Sequence, residues 1–329
     1  MFIFSIAVDT SCDGLMNQRE MENAVTLGIA LKEAGFQVSQ ICCSRPSCFD
    51  LAAKKDNKPV LIKIHSDIDT FPPQDSNELK TIANHISAAT LIISQKTHDK
   101  TLADDTVYSR HAIFVVTEKT IKSIALQTAN PLVYAGPGGY FVEIDGALVE
   151  KRRKELGLSV GKLAEMIGVS RRTLYGYERG MAKASVTSAY NLAKTLGIPV
   201  AKPINILEKT RKQHQCLLMK AKHAIAGQAL LNKIFRKFAF CDISPIQKAP
   251  FDFIMNVPNE KYVIVGSIAI NGEKHLGKRM EEILSLCQVV NAHPVLITEK
   301  HKPFNKDISC VCMDELSAMR TPEDLIASI

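Results

Sequence analysis

Between Leu148 and Pro199 two serines, Ser159 and Ser170, flank a glycine, Gly168, and each opens a short run with apolar residues at helical spacing. Glycine takes a left-handed backbone without strain, so Gly168 can stop the first run while the second begins two residues later. The spacing predicts a helix with Leu163, Ala164 and Ile167 turned inward, then a helix Arg171–Glu178 with Leu174 and Tyr177 inward. A further helix, Val186–Leu196, places Ala189, Leu192, Ala193 and Leu196 on one face and stops at Gly197 and Pro199. A basic run bracketed by Leu148, Leu156 and Leu158 supplies the first helix of the set.

Two helices joined by a tight glycine turn are the helix-turn-helix arrangement. The second helix offers its N-terminal side chains to the major groove of DNA. Here those side chains are Arg171, Arg172 and Thr173. Arginine's planar fork matches the O6/N7 edge of guanine. The plain alternative is a small bundle with a solvated basic face. Spacing, caps, turn glycine and arginine placement all agree on the first reading.

These residues also carry a resemblance to the lambda-repressor/Cro-like (XRE) helix-turn-helix family. It rests on LS-x-x-x-LA-x-x-x-GVS from Leu158 to Ser170, on Glu178-Arg179-Gly180, and on the LAKTLGI run. The resemblance implies base readers at Arg171, Arg172 and Thr173. It implies phosphate contacts at Ser159, Lys162, Ser170, Tyr175, Arg179 and Lys183, and a structural Glu178 tying the recognition helix to its neighbours. Two positions depart from the family. Val160 stands where Gln is usual, removing a phosphate contact. Gly176 stands where a longer base-contacting residue is frequent, narrowing readout to the helix start.

A 329-residue chain exceeds one such bundle and predicts two or three domains. Residues 147–223 hold 16 Lys and Arg against 5 Asp and Glu, whereas the remainder is acidic by 4. Such segregation suits a protein that steers toward a polyanion. No apolar run is long enough to span a bilayer, so no membrane partner is expected. Met1–Ala7 reads as a strand rather than a signal peptide. Nine cysteines without a C-x-x-C pair imply reduced thiols and a cytoplasmic setting. A zinc site from Cys42, Cys43, Cys48 and His65 lacks a recognisable spacing, so neither metal nor cofactor is expected.

In chain order, Asn17 with Glu20 suggests a capping box for a helix to Ala34, and Phe36–Cys43 reads as a strand. Phe49–Ala53 and Pro59–His65 read as paired strands, Asn77–Ser87 as a helix, Thr90–Ser94 and Ala112–Val116 as strands, and Glu118–Gln127 as a helix. Tyr140–Ile144 and Ala147–Val149, joined by Asp145-Gly146, suggest a hairpin that either braces the helical module, the favoured role, or serves as a wing. A helix is expected from His214 to Lys237. The remaining sequence then repeats the opening pattern at an offset of 202 at Asp50 and Asp252 and of 204 at the later strand.

The expected organisation is therefore an α/β domain (1–130), a linker and hairpin (131–147), an all-α helix-turn-helix domain (148–200), a basic linker (201–213) and a second α/β domain (214–329). A helix with acidic residues, a strand bearing Asp and a strand ending in Lys resemble the PD-(D/E)XK nuclease superfamily, which implies a mixed sheet with helices of the restriction-endonuclease type. The matching positions are Glu20 (or Glu22), Asp50 and Lys63, with Asp252 in the second copy. Leu61 stands where a second acid is needed, and Val263 and Val265 are read as the counterparts of Leu61 and Lys63. One carboxylate is a poor magnesium site, so both copies are expected to be non-catalytic. Over most of its length the chain resembles a family of archaeal helix-turn-helix transcriptional regulators. Its more specific pieces outside the bundle are Pro131-Leu132-Val133-Tyr134 and Gly138-Gly139. The expectation is a homodimeric regulator of double-stranded DNA. A metal-dependent nuclease is the alternative from another class, and an antitoxin-like or scaffold protein a third.

Overall fold

The computed structural model describes residues 17–98, 100–208, 229–257, 262–269, 273, 275–298, 307–319 and 321–325. The strand expected at Met1–Ala7 and the helix expected over 214–228 lie outside them. The chain forms two compact units. The first gathers the described parts of 1–65, 71–91 and 207–329, and the second those of 66–70 and 92–206.

In chain order the elements begin with α1 (Gln18–Glu33), β1 (Gln37–Val38), β2 (Leu51–Lys55), β3 (Lys58–Ile64), α2 (Pro73–His85) and β4 (Ala89–Ile93). Then come β5 (Lys96–Thr97), β6 (Lys100–Thr101), β7 (Thr106–Arg110), β8 (Ile113–Val116), α3 (Glu118–Ala125), β9 (Val133–Gly136) and β10 (Gly139–Val142). The helical module holds α4 (Gly146–Glu155), α5 (Val160–Ile167), α6 (Arg171–Glu178), β11 (Ala184–Ser185) and α7 (Val186–Leu196). Last are α8 (Ala229–Lys237), β12 (Asp242–Pro245), β13 (Phe253–Asn256), β14 (Val263–Ile268), α9 (Leu276–Val290), β15 (Ala292–Thr298), β16 (Ser309–Cys312) and α10 (Met313–Ala318).

The first unit contains two α/β lobes. In one, β1-β2-β3-β4 lie side by side; in the other, β12-β13-β14-β15-β16 do. The β2–β3 turn uses Asp56 and Asn57, both at positive φ, which suits a tight hairpin. Strands β14, β15 and β16 run parallel, and α9 makes the crossover from β14 to β15. Leu51 faces Ile62 across the first hairpin, and Phe253 faces Gly266 across the second. The second connection is thus two residues longer. This corrects the sequence reading: the counterparts of Leu61 and Lys63 are Val265 and Ser267, not Val263 and Val265.

The expected strand Phe36–Cys43 shrinks to Gln37–Val38. Its later amides leave the ladder for a distant helix: Cys43 N and Ser44 N donate to Glu282 of α9 at 3.0 and 2.9 Å. The other lobe returns the contact. Gln247 N and Lys248 N donate to Glu78 of α2 at 3.2 and 2.8 Å. Each member of one set lies 204 residues from its counterpart in the other, so the lobes clasp each other through equivalent groups, as two subunits related by a two-fold axis do.

α2 begins at Pro73, earlier than the expected Asn77, because Pro is favourable at the first helical position. Its last residue, His85, is buried, with Nδ1 2.9 Å from Asn256 Oδ1 and Nε2 2.9 Å from Ser244 Oγ. Burial lowers the His85 pKa, so the folded chain keeps the ring neutral where the unfolded chain takes up a proton. The stability tied to this ring is complete above about pH 6.5 and is lost as pH falls below it. Urea midpoints should therefore drop between about pH 7.5 and about pH 5.5, and the drop should shrink in His85→Gln.

In the second unit the strand order is β8-β7-β9-β10-β11, with β7 and β9 parallel and the other described pairs antiparallel. Strands β5, β6 and β7 escaped the sequence reading. The hairpin was misplaced: Ala147–Val149 is helical, and the pair is Val133–Gly136 with Gly139–Val142. Its turn, Pro137-Gly138, has the Pro-then-positive-φ order of a type II turn, Gly138 lying at φ 89°. Asp145 does not turn a hairpin; its carboxylate accepts from Leu148 N and caps α4. β10 then pairs with β11, in the loop after α6, and Val142 and Ile144 enter the module's core with Leu163, Leu174, Tyr177 and Leu192. The hairpin braces the bundle.

Candidate nucleic-acid interface

Ser159 and Ser170 cap α5 and α6 by accepting from Lys162 N and Thr173 N. Gly168 ends α5 at φ 75°, and Gly197 ends α7 at φ 65°. The end of α6 is gripped by one face of α4, residues Gly146, Val149 and Arg153, spaced three and four apart. A methyl group on Gly146 would lie 2.2 Å from the Glu178 carbonyl oxygen, so only glycine allows this approach. Arg153 clasps the Glu178 carboxylate through Nε at 2.6 Å and Nη2 at 3.1 Å, both side chains nearly buried. It also reaches Leu158 O at 2.9 Å, which fixes the α4–α5 corner. Arg153 was missed in the sequence; its spacing of four from Val149 on the inward face was the available signal.

Arg171 and Arg172 are exposed at the start of α6. No acidic residue occupies that first turn, so two cations sit where the helix dipole is positive. This opposes local stability and adds to the positive potential a phosphate backbone would meet. The Arg171 guanidinium lies over Gly161, where a methyl group would come 2.7 Å from Nε. Thr173 is half-buried, its hydroxyl 2.8 Å from the Ser170 cap. Of the phosphate candidates, Lys162 pairs with exposed Glu165 at 3.2 Å, and Arg179 lies over the exposed Tyr175 ring at 5.4 Å from its centroid. The Lys183 ammonium sits 3.4 Å from the Tyr134 centroid. Gly176 is buried under the turn that follows α6, Met181 N donating to its carbonyl at 2.8 Å.

The positions resembling a nuclease are closed by internal partners. Asp50, 1% exposed, accepts from Lys63 Nζ at 2.7 Å with one oxygen and from Ile64 N at 2.6 Å with the other. Burial works to strip the Lys63 charge, but Asp50 outweighs it and holds the ammonium's pKa above its ordinary value. Glu20 stands 3.9 Å from His65 Nδ1. In the second lobe Asp252 pairs with Arg45 at 2.8 Å, accepts from Ile268 N at 2.7 Å, and meets fully buried Arg279. Arginines thus supply the cation that Lys63 supplies to Asp50. Magnesium needs several hard oxygens, and Leu61 or Val265 stands where the second acidic ligand would be. The residues do not fit the ion. Cys42, Cys43 and Cys48 are buried thiols, and among the described residues no cluster of three potential ligands forms.

Residues 21–131 match the PD-(D/E)XK superfamily domain, and residues 149–202 match the Helix-turn-helix family. A "Putative HTH-type transcriptional regulatory protein" of Methanocaldococcus jannaschii is 31% identical over 86% of this chain and 88% of its own length. Proteins of the same name in Methanococcus maripaludis strain C5 and Natronomonas pharaonis are 32% and 31% identical, over 88% and 84% of this chain and 93% and 87% of theirs. Among solved structures, the restriction-modification controller protein C.AhdI from Aeromonas hydrophila is 34% identical over 16% of this chain and 80% of its own, with a TM-score of 0.16. The chain thus carries mixed α/β segments, the first matching a PD-(D/E)XK superfamily domain, on either side in sequence of a helix-turn-helix segment. Among the described residues no helix is long and apolar enough to cross a membrane.

Proposed function

The chain belongs to the archaeal family of HTH-type transcriptional regulatory proteins, and on that premise we propose that it is a sequence-specific regulator of double-stranded DNA that reads the major groove with α6. The observation that carries this reading is the exposed Arg171–Arg172 pair, set against the helix dipole at a serine-capped start. One such helix contacts too few base pairs to select a site, so the reading includes a homodimer on two half-sites about 34 Å apart. As a regulator of double-stranded DNA it would act in the cytoplasm, where its buried thiols stay reduced. The α/β segments, 1–130 and 214–329, which flank the module at 148–200 in sequence, then act as non-catalytic scaffold.

Selection of duplexes from a random library by the full-length chain tests this. Enrichment of a two-fold symmetric motif with guanines in each half is expected, and recovery of random sequence would refute it. A second assay addresses the enzyme. With magnesium or manganese, linear and branched duplexes should remain intact, because Asp50 has both oxygens engaged and no acidic partner at Leu61. Cleavage that disappears in Asp50→Asn and in Lys63→Ala would establish a nuclease instead.

A further inference from the structure

Six cations of the helical module have partners of two chemical kinds. Arg152, Arg153, Lys154 and Lys162 pair with the carboxylates of Glu155, Glu178, Glu150 and Glu165. Arg179 and Lys183, which follow α6, lie instead against the rings of Tyr175 and Tyr134. A carboxylate cancels the charge it orients. A ring orients a cation through its quadrupole and leaves the charge available.

Tyr134 lies outside the helical module, on β9, and the sheet register explains how it reaches Lys183. Tyr134 faces Phe141 on β10, and Phe141 faces Ser185 on β11. Tyr134, Phe141 and Ser185 thus share one face of the sheet, and Lys183, just before β11, lays its ammonium over the Tyr134 ring. The opposite face, through Val142 and Ala184, is built into the bundle's core. The Tyr134 backbone also pairs with Val107 of β7, and its ring lies 6.4 Å from that of Phe114. The platform is therefore held from three sides while the ammonium it carries remains exposed.

We infer that Tyr134 is a positioning residue for DNA-backbone binding: its ring fixes the Lys183 ammonium beside the end of α6, with the charge left for a phosphate oxygen. A lysine already ordered loses less conformational freedom when it meets the phosphate. The inference rests on the DNA-binding reading above, and one experiment separates the two. Because phosphate contacts carry no sequence information, a short mixed-sequence duplex is the probe, titrated with the full-length chain over a range of salt. Tyr134→Leu should weaken binding about three- to tenfold, whereas Tyr134→Phe, which keeps the ring, should stay within about twofold of the unaltered chain. Lys183→Met should weaken binding similarly and lower the salt slope by about one contact. Tyr134→Leu with Lys183→Met should be no weaker than Lys183→Met alone. The role is overturned if Tyr134→Leu binds normally, if Tyr134→Phe is as weak as Tyr134→Leu, or if the loss persists in the Lys183→Met background. Absence of binding by the unaltered chain at any salt removes the DNA reading, and this role with it.

Discussion

Glu178→Ala is expected to destabilise the second unit by about 3–5 kcal/mol, because it leaves the Arg153 guanidinium buried without its counter-charge. The side chains are 9% and 5% exposed, so water cannot take over the missing contact. Replacing both partners by apolar residues of similar volume is a different experiment. Arg153→Met with Glu178→Leu removes the desolvated charges together and should recover most of the loss. Recovery should be incomplete, since Arg153 also serves Leu158 O. The chain has no tryptophan, and six of its seven tyrosines lie between residues 108 and 190, so tyrosine fluorescence during urea unfolding follows this unit. A single Ala variant as stable as the unaltered chain would show that α4 does not hold α6 through this pair.

The same pair marks the limit of what could be read from the sequence. The helices around Gly168 were legible because each decision is local: a serine, a glycine and an apolar stripe lie within one or two turns. Arg153 with Glu178 joins residues 25 apart, and the basic composition of the first helix hid it. The hairpin error has a similar cause. Asp145-Gly146 satisfies both a turn and a helix start, and the competition is decided by Glu178, whose carbonyl fits only against a glycine. Cys43 could not be read as leaving its strand, because its acceptor Glu282 lies more than two hundred residues away. The lobes' repeat was visible at Asp50 and Asp252, but the extra two residues before β14 moved the lysine's counterpart to Ser267. The arginines that took over its charge are on other elements altogether.

Arg171→Ala and Arg172→Ala are each expected to cost about 1–3 kcal/mol on the selected duplex, the range for a bidentate guanine contact. On mixed-sequence DNA the same variants should lose far less, because a backbone contact is worth about one unit of salt slope whatever the sequence. The ratio between the two duplexes is therefore the measurement that matters. Lysine at either position should restore the charge without restoring the ratio, since it cannot present a planar fork. The two arginines need not behave alike. Arg171 rests over Gly161, so Gly161→Ala, which crowds its guanidinium, should act on the ratio through Arg171 and have no further effect once Arg171 is alanine. Arg172 has no such neighbour to lose in that substitution. If both alanine variants keep the full preference for the selected duplex, the start of α6 does not read bases. The charge placed against its dipole would then serve only general attraction to the polyanion.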